Sequence, residues 1–500
     1  MRFHVTHVAL LVVFLVAACN DSQSTVRPTA PYAARSAQAG GSGASVVDIG
    51  NDTTAQNETP IAVNPTNSQN FIVGANDWNY NDGCAVNASF DGGKTWTPTV
   101  PNGFLPGITK YTNDPSEDGT GAATGTGDFG GDPAVAFGND GTAYYACYTY
   151  RASGYGSLKA QLLLSKSTDG GKTWQKGGST DPLTVVAQWD ATGITKGSTG
   201  QFQDHESIWV DPTDGRIYIT WAQFHGNGTN SPIYVAVSAD GGKTFSTPAQ
   251  ITATTVRSNQ DARIVTNRDG SYAYLTFDNG VQGGKGSVMY VSQSSDRGIT
   301  WSAPVRFATF NNPVCLFPPY CFNVSGGPFR GPGSYPVPAF DPTRQRLYVA
   351  YADIVGGLAQ LFLAYAPDKA VTDPHNWTII PMAPGASGDR LNVEMSIERV
   401  SGRIDFISDD RSYSNNALVD ITYGKSTDGG ATFVTQRVTR QGFDPSQSGV
   451  PSGSGFRPFL GDYNGIVSLP TKAAFAWTGV GKPLGNPPIN LDIFFGSVTP

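Results

Sequence analysis

The sequence predicts an all-β protein built from a repeated unit. The pattern S-x-D-x-G-x-T-[WF] occurs five times in the 500 residues, and so many copies in one chain indicate a repeat protein. Alternating apolar residues precede each copy, as is typical of strands that flank a hairpin turn. The 60 glycines, 34 prolines and 11% aromatic residues agree with a chain of many turns and aromatic strands.

The residue types in this pattern suit a tight turn. The aspartate can accept hydrogen bonds from the amides that follow it, and the glycines adopt positive φ without a Cβ clash. The serine and threonine hydroxyls can form hydrogen bonds within the same loop. We therefore expect hairpin turns at five aspartates, which are Asp91, Asp169, Asp240, Asp296 and Asp428.

The pattern resembles the Asp box, or BNR repeat, of sialidases and related β-propellers. The resemblance implies one propeller of four-stranded blades over residues 43–500, with these turns outside the blades and away from the active site. It also implies a sialidase-like glycoside hydrolase that acts on extracellular glycans. The alternative is a non-catalytic propeller that binds glycan or protein at the mouth of its channel.

The N-terminus predicts export. Arg2 precedes a short apolar run that ends before Cys19, which is the pattern of a signal peptide and is short for a membrane span. Val16-Ala17-Ala18-Cys19 resembles a bacterial lipobox, which implies cleavage before Cys19 and its lipidation. We expect a signal peptide at 1–18, a flexible tether at 19–42, and a lipid-anchored protein of the cell envelope, exported across the inner membrane.

Seven units of an inner strand, a turn and an outer strand follow one another after the tether. Five are followed by the repeated turn, and the fifth unit is followed by a degenerate form of it at Pro367–Trp377. The last unit is followed by a single strand, so its blade lacks one strand. We expect Ala44–Ile49 to complete that blade and to join the first blade to the last. Seven blades are favoured, and six, as in sialidases, are the alternative.

Carboxylates begin the inner strands of six of these units. In a propeller such residues line one mouth of the central channel. They can bind a cation, an amine or sugar hydroxyls, or they can bond backbone amides of the neighbouring blade. His205 and Asp204 adjoin one of these positions. The six carboxylates are Glu58, Asp132, Glu206, Asp261, Glu394 and Asp462.

The resemblance to sialidases implies a Tyr nucleophile paired with a Glu, an Asp acid/base and three arginines that bind a carboxylate. The [FY]-R-[IL]-P motif that precedes the family's first turn is absent, because no Arg occurs between Arg35 and Arg151. Arg330 and Arg390 are available for an anion. The catalytic candidates come from the late blades and are Tyr463, Asp462, Arg457 and Arg411.

The cysteines and the net charge give expectations about disulfides and about binding partners. Cys315 and Cys321 lie close together in a Pro-rich insertion and are expected to form a disulfide, whereas Cys84 and Cys147 are partners or two buried thiols. The net charge of −7 argues against nucleic acid as a partner.

No cofactor is required by the motifs, since the histidines lack metal-ligand spacing to one another or to cysteine. Ca²⁺ is the one metal considered, in the acidic loop that contains Asp118 and Asp128. The expected partners are a membrane, through the lipid anchor, and a glycan or protein ligand.

Overall fold

The computed structural model describes most of the chain from residue 35 onward. Among these residues, no helix has the length and apolar character needed to cross a membrane. Cys19, Asp118, Asp128, Cys315 and Cys321 lie outside the described residues. The described ranges are 35–36, 38–39, 44–50, 55–78, 83–98, 105–108, 129–151, 159–190, 201–225, 231–253, 255–280, 287–312, 322–383, 387–452, 455–481 and 490–500.

Seven antiparallel sheets, each built on four strands, form the blades of a propeller. Consecutive strands pair because short turns connect them. The first strand of each blade contacts the first strands of both neighbouring blades around a complete ring, so the first strands surround the channel. In blades 1 to 4 the strands, from the channel outward, are Ile61–Asn64, Asn67–Asp77, Gly83–Ser89 and Thr95–Pro98; Phe129–Phe137, Ala143–Arg151, Lys159–Ser167 and Thr184–Asp190; Gln201–Val210, Ile217–His225, Ile233–Ser238 and Ala249–Gln250; and Gln260–Thr266, Ala273–Asp278, Ser287–Ser294 and Val305–Phe310.

Blades 5 and 6 repeat this order, and blade 7 takes its outermost strand from the start of the domain. Ser45–Asp48 pairs antiparallel with Asn490–Val498, which confirms the predicted closure and the seven blades. The remaining strands of blades 5 to 7 are Val337–Asp341, Arg346–Val355, Leu358–Pro367 and Thr378–Pro381; Arg390–Ile397, Ile404–Asp410, Asp420–Ser426 and Val434–Arg437; and Gly465–Ser468, Ala473–Gly481 and Asn490–Val498.

Short elements complete the described structure. Two small hairpins lie outside the blades, and three further strands extend blades 1 and 7. The hairpins are Phe322–Val324 with Gly327–Phe329 and Val450–Ser452 with Gly455–Arg457; the added strands are Arg35–Ser36, Gln38–Ala39 and Gln56–Asn57; and the 3₁₀ helices are Pro374–Asn376, Ser412–Ser414 and Pro445–Gln447.

The repeated turn connects the third and fourth strands of its blade. In blade 3, Asp240 Oδ1 accepts hydrogen bonds from the amides of Lys243 and Thr244, both at 3.0 Å. Asp240 Oδ2 accepts from the Thr244 hydroxyl at 2.6 Å, and the hydroxyl of Ser238 accepts from the amide of Gly242 at 2.9 Å. The other four copies repeat the serine and threonine contacts. The shared residues of the pattern are therefore used to close the turn.

The same turns also join neighbouring blades. Gly242 has φ 75°, and a Cβ there would lie 2.6 Å from the Leu164 side chain of blade 2. The equivalent glycine of each copy packs closely on the preceding blade, and the pairs are Gly93 with Phe495, Gly171 with Ile72, Gly298 with Tyr218 and Gly430 with Leu363. Between blades 2 and 3, Leu162, Leu164, Ile217 and Ile219 form part of one buried apolar cluster.

Blade 5 replaces the repeated turn with a longer one. Asp373 caps the 3₁₀ helix Pro374–Asn376, and the indole of Trp377 donates to the carbonyl of Val371 at 2.9 Å. Trp377 stacks on Phe307 of blade 4, with ring centres 4.3 Å apart. An aromatic contact thus takes the place of the glycine contact.

A disulfide joins blades 1 and 2. Cys84 of the third strand of blade 1 bonds to Cys147 of the second strand of blade 2. Both residues are buried in the apolar cluster between these blades. This pairing decides between the two alternatives that the sequence left open for them.

Replacing Gly242 with alanine tests the contact between blades. We expect Gly242→Ala to lower the free energy of unfolding, because the new Cβ is strained at positive φ by about 1–2 kcal/mol and also crowds Leu164, which costs about 1–3 kcal/mol more. Urea unfolding measures the loss. Gly215→Ala is the matched control, since Gly215 has φ 74° but no atom of the described residues within 4 Å of the position that a Cβ would take. Equal losses in the two variants would contradict a contact between blades at Gly242.

Candidate functional site

The first strands begin at the end of the propeller opposite the repeated turns. Because the strands alternate in direction, the turns between third and fourth strands share an end with those between first and second strands. The connections that lead into the first strands lie at the other end. A group of charged and aromatic side chains, which we term the central cluster, gathers there around the channel. Its members are Glu58, Asp132, Asp204, His205, Glu206, Asp261, Arg263, Asp278, Arg330, Tyr335, Glu394, Asp462 and Tyr463.

A left-handed backbone residue marks the beginning of the first strand in six blades. The pairing register shifts at this point in blades 2, 3, 4 and 6, so that two residues form a bulge. Non-glycine residues at positive φ each cost about 1–3 kcal/mol and concentrate at functional sites. The six residues are Glu58 (φ 61°), Asp132 (φ 50°), His205 (φ 53°), Asp261 (φ 61°), Asn392 (φ 52°) and Gly461 (φ 95°).

These bulges change the alignment of the blades that the sequence suggested. The residue of blade 3 that is equivalent to Asp132 is His205, not Glu206, and the one in blade 6 is Asn392, not Glu394. Glu206 and Glu394 still lie beside the channel, one and two residues further along. A bulge inserts an extra residue into one strand, so a position counted from the turns of the other blades is displaced by one or two residues, which explains the offset.

Asp462 lies between two cations. Arg330 approaches Asp462 Oδ1 at 2.9 Å and stacks on the Phe459 ring with its guanidinium 3.9 Å from the ring centre. His205 Nε2 lies 3.3 Å from Asp462 Oδ2. Burial alone would raise the pKa of Asp462, but Arg330, His205 and a hydrogen bond from Tyr335 outweigh it and hold the pKa well below its usual value. Asp462 is therefore ionised, and it is 14% exposed to the channel.

The carboxyl groups of Glu58, Asp132 and Asp204 lie close together beside Asp462, whose backbone amide donates to Glu58 Oε1 at 3.2 Å. Desolvation raises the pKa of Glu58 and of Asp204 well above the usual value, and the charge of Asp132 and a hydrogen bond with it raise both further. Two carboxylates cannot share a hydrogen bond unless one carries a proton. Asn76 donates to Glu58 at 2.6 Å, and Gln260 donates to Asp204 Oδ2 at 2.6 Å. Asp204 is the partly exposed member of this group, so its proton can reach the channel.

A bidentate ion pair crosses the channel between blades 4 and 6. The guanidinium of Arg263 donates to both carboxylate oxygens of Glu394, at 2.7 and 2.8 Å. Arg263 is 22% exposed and Glu394 is 6% exposed. Planar, bidentate pairs of this kind are strong and directional, so this pair narrows the channel beside the central cluster.

Two further acids are buried in the central cluster without full hydrogen bonding. No described donor forms a hydrogen bond of good geometry with either carboxylate oxygen of Glu206, or with Oδ2 of Asp278. Burial raises the pKa of both residues well above the usual value, with added contributions from Asp132 at Glu206 and from Asp261 at Asp278. Asp278 Oδ1 does accept from the Gly280 amide at 2.6 Å, but buried carboxyls with so few hydrogen bonds favour the neutral form because a buried charge is costly.

The catalytic candidates from the late blades lie in different surroundings. Tyr463 is buried in the central cluster, and its hydroxyl donates to the Pro133 carbonyl at 2.9 Å. Arg457 is exposed at the mouth, where partial desolvation and then the charge of Arg330 lower its pKa. Arg411 is buried away from the cluster and pairs with Asp389 at 2.6 Å. Arg411 is therefore a structural residue of the blade 6 region.

Arg390 is likewise engaged elsewhere, since it donates to Asp410 at 2.8 Å. Arg330, by contrast, reaches the channel because the hairpin Phe322–Phe329 packs on the segment that leads into blade 7, where Arg330 forms a β-bridge with Phe459. The Arg330 amide donates to the carbonyl of Pro458 at 2.9 Å. This hairpin belongs to the Pro-rich insertion, and it supplies the cation beside Asp462.

Several residues of the central cluster were missed by the sequence analysis. Asp204 and His205 were noted only as neighbours of Glu206, although Asp204-His205-Glu206 places three titratable residues in a row at one inner strand. That run of three titratable residues was the signal in the sequence that could have identified Asp204 and His205. Tyr335 has no comparable signal, because it enters the cluster only through the path of the insertion.

The described residues give no support for a metal centre. Among them, no group of three or more His, Cys, Asp or Glu side chains is arranged to hold a metal ion. The loop considered for Ca²⁺ falls mostly outside the described residues, so that site stays a prediction.

Comparison with known proteins gives similarity only among solved structures. No family model and no curated protein matches the sequence. The chain is similar to a protein of unknown function from Dyadobacter fermentans (12% identity, 91% of this chain and 99% of that chain, TM-score 0.47). It is also similar to the NanB sialidase from Streptococcus pneumoniae (9% identity, 85% and 83%, TM-score 0.46) and to the α-L-arabinofuranosidase Arb93A from Fusarium graminearum (13% identity, 73% and 92%, TM-score 0.41). The seven-bladed architecture rests on the strand pairing rather than on these similarities.

Asp409 is a further buried acid, at the interface of blades 6 and 7. The side-chain amides of Asn392 and Asn464 lie 3.4 Å from its two oxygens. Burial raises the pKa of Asp409 to about 7. In the unfolded chain the pKa of an aspartate is about 3.9, so the folded state binds the proton more tightly.

This difference predicts a stability that falls as pH rises. The contribution of Asp409 is present in full below about pH 4 and is lost as pH rises towards about 7, because only the folded state keeps the proton in that range. Asp409→Asn keeps a neutral side chain of the same shape. We expect the melting temperature of this variant, relative to the wild type, to increase between pH 5 and pH 8. A difference that does not change with pH would contradict the raised pKa of Asp409, and Asp214→Asn serves as the surface control.

Proposed function

We propose that this protein is a glycan-active β-propeller, a sialidase-like glycoside hydrolase of the Asp-box class, with its site at the central cluster. The observation that carries the proposal is the difference in surroundings of two carboxyl groups that reach the channel. Asp462 contacts Arg330 and His205, whereas Asp204 faces Asp132 and accepts a hydrogen bond from Gln260. Asp462 is held ionised by Arg330 and His205, while Asp204 is held protonated by desolvation and by Asp132. Two carboxyl groups with pKa values pushed apart are the usual requirement for acid-assisted glycoside cleavage.

The two groups suit different parts of the reaction. The proton of Asp204 can pass to the leaving oxygen of the glycosidic bond as that bond breaks. Asp462 can stabilise the positive charge that develops on the sugar, since it stays ionised. Water then adds to the anomeric carbon, and the proton that water loses returns to the Asp204 carboxylate. Gln260 donates to Asp204 Oδ2, and the proton that Asp204 shares with Asp132 is the one that passes to the leaving oxygen.

The mouth also has groups suited to an anionic or polyhydroxylated sugar. Arg330 is 19% exposed, and Arg457 lies next to it at the surface. Guanidinium groups bind carboxylates in a planar, two-point manner. The extracellular glycan that the proposal implies can therefore carry an acidic sugar.

A non-catalytic binding propeller is the second candidate. The left-handed residues recur in six of the seven blades, and a structural role repeats with the blades whereas catalysis requires asymmetry. The Arg263–Glu394 pair also leaves neither group free for chemistry. In this alternative the central cluster binds sugar hydroxyls, or a protein, without cleavage.

We further propose that the protein acts at the cell envelope, held there by lipid on Cys19. The proposal rests on the sequence pattern Val16-Ala17-Ala18-Cys19. A domain tethered by residues 19–42 would remain close to the surface where extracellular glycans lie.

Hydrolysis by the purified chain tests the proposed reaction. We expect turnover of at least one methylumbelliferyl glycoside in a panel that includes sialic acid and arabinofuranose. Asp462→Asn should lower kcat by about 10²-fold or more, because a charge that stabilises the transition state is lost. Asp204→Asn should lower kcat strongly for a sugar leaving group and much less for methylumbelliferone, which departs without a proton.

Two variants make this test specific. Asp214→Asn also removes a carboxylate paired with an arginine, at 2.8 Å from Arg297 on the surface, and should leave kcat unchanged. Tyr463→Phe should retain activity within a few-fold, because the Tyr463 hydroxyl donates a hydrogen bond to the Pro133 carbonyl and takes no part in the proposed reaction. A folded Tyr463→Phe variant without activity would contradict the carboxyl mechanism and favour a Tyr nucleophile. No turnover with glycan binding retained would favour the second candidate.

Fatty-acid labelling tests the proposed anchor. In a bacterial host we expect a clickable fatty acid to label the wild-type chain and not Cys19→Ala, because Cys19 is the proposed site of lipidation. Cys315→Ser is the control and should keep the label. Label on Cys19→Ala, or a wild-type chain that is never labelled, would contradict the anchor.

A further inference from the structure

His205 makes contacts with residues on three other blades. Its backbone amide donates to Asp132 Oδ2 at 3.0 Å from within the bulge of blade 3. Its ring Nδ1 lies 2.5 Å from Asp261 Oδ1 of blade 4. Its ring Nε2 lies 3.3 Å from Asp462 Oδ2, just before the first strand of blade 7. One side chain thus connects two carboxylates on different blades.

The imidazole ring is also fixed by aromatic packing. The rings of Tyr335 and Tyr463 lie 5.4 and 5.6 Å from it, centre to centre. His205 is only 8% exposed. The ring therefore cannot turn to present one nitrogen to solvent without leaving both carboxylates.

The chemistry of imidazole decides the charge of this residue. A neutral imidazole carries one N–H, so it can donate to one of the two carboxylates and must point a lone pair at the other. An imidazolium donates to both. The 2.5 Å approach of Nδ1 to Asp261 Oδ1 lacks good hydrogen-bond geometry, so this contact is an ion pair, and a charge on the ring is what makes it favourable.

We propose that His205 is a positioning residue, an imidazolium that pairs with Asp261 through Nδ1 and with Asp462 through Nε2 and keeps Asp462 ionised and oriented towards the channel. The role of Asp462 in this statement rests on the proposed function. His205 itself touches no reacting atom in this arrangement and acts through Asp462.

The surroundings of His205 favour the charged form. Burial by itself opposes the charge, but Asp261 and Asp462 outweigh it and raise the pKa of His205 well above its usual value. Arg330 opposes the imidazolium, because it lies 2.9 Å from Asp462 Oδ1 and also donates at 3.2 Å to Oδ2, the oxygen that His205 Nε2 approaches. The other titratable groups that face this region are Asp132, Asp204, Glu206, Glu58 and Asp278.

Nuclear magnetic resonance of histidine-labelled protein tests the charge without any assay of activity. In the full chain labelled with ¹⁵N-histidine, both ring nitrogens of His205 should be protonated from pH 5 to pH 9. The ring signals of His205 are those that disappear in His205→Gln. If that variant does not fold, replacing each of the four other histidines in turn identifies the His205 signals by elimination. Asp261→Asn and Asp462→Asn should each lower the pKa of His205, whereas Asp214→Asn should leave it unchanged.

Three results would contradict the proposal for His205. A neutral His205 ring near neutral pH, or a titration that Asp462→Asn does not change, would overturn the proposal. In the hydrolysis assay, His205→Gln should move the acidic limb of the pH–kcat profile to higher pH, because Asp462 then loses a cation and its pKa rises. An unchanged profile would overturn the positioning role. If no glycoside is hydrolysed, the proposed function fails, while the resonance experiment still decides the charge of His205.

Discussion

The pairing of Ser45–Asp48 with Asn490–Val498 is the interaction on which the rest of the structure depends. Each blade buries its two faces against two neighbours, so an open row of blades would expose an apolar face and a sheet edge at each end. Closure of the ring removes both. It also brings His205 of blade 3 to Asp462 of blade 7, which are 257 residues apart in the chain. The central cluster exists only in the closed ring.

The architecture could be predicted from the sequence because its signals are local. Asp240 and Thr244 close their turn through groups at most four residues apart, and a pattern of that length survives in the sequence. The closing strand followed from a count, since the last unit lacked one strand and Ala44–Ile49 was left over. What the pattern did not reveal is that the second glycine of each turn also packs against the preceding blade, because its partner, such as Leu164, lies far away in sequence.

The site was predicted less well, because its contacts join residues that lie far apart in the sequence. The inner-strand carboxylates could be found one blade at a time, but the two-residue bulges decide which residue faces which neighbour, and the extra residue displaces any count made from the turns. Glu206 was therefore chosen where His205 is the equivalent residue. Arg330 reaches Asp462 only because a hairpin of the insertion packs on the segment that leads into blade 7. Such a contact depends on tertiary packing and not on any short motif.

The proposed chemistry rests on one electrostatic asymmetry, in which cations hold Asp462 charged and neighbouring acids hold Asp204 neutral. Carbon NMR of protein labelled at the aspartate carboxyl group reports this difference directly, with Asp462→Asn and Asp204→Asn to assign the two signals. Near neutral pH, the Asp462 signal should be that of a carboxylate and the Asp204 signal that of a carboxylic acid. Two ionised groups at that pH would contradict the proposed pair of acid and charged carboxylate.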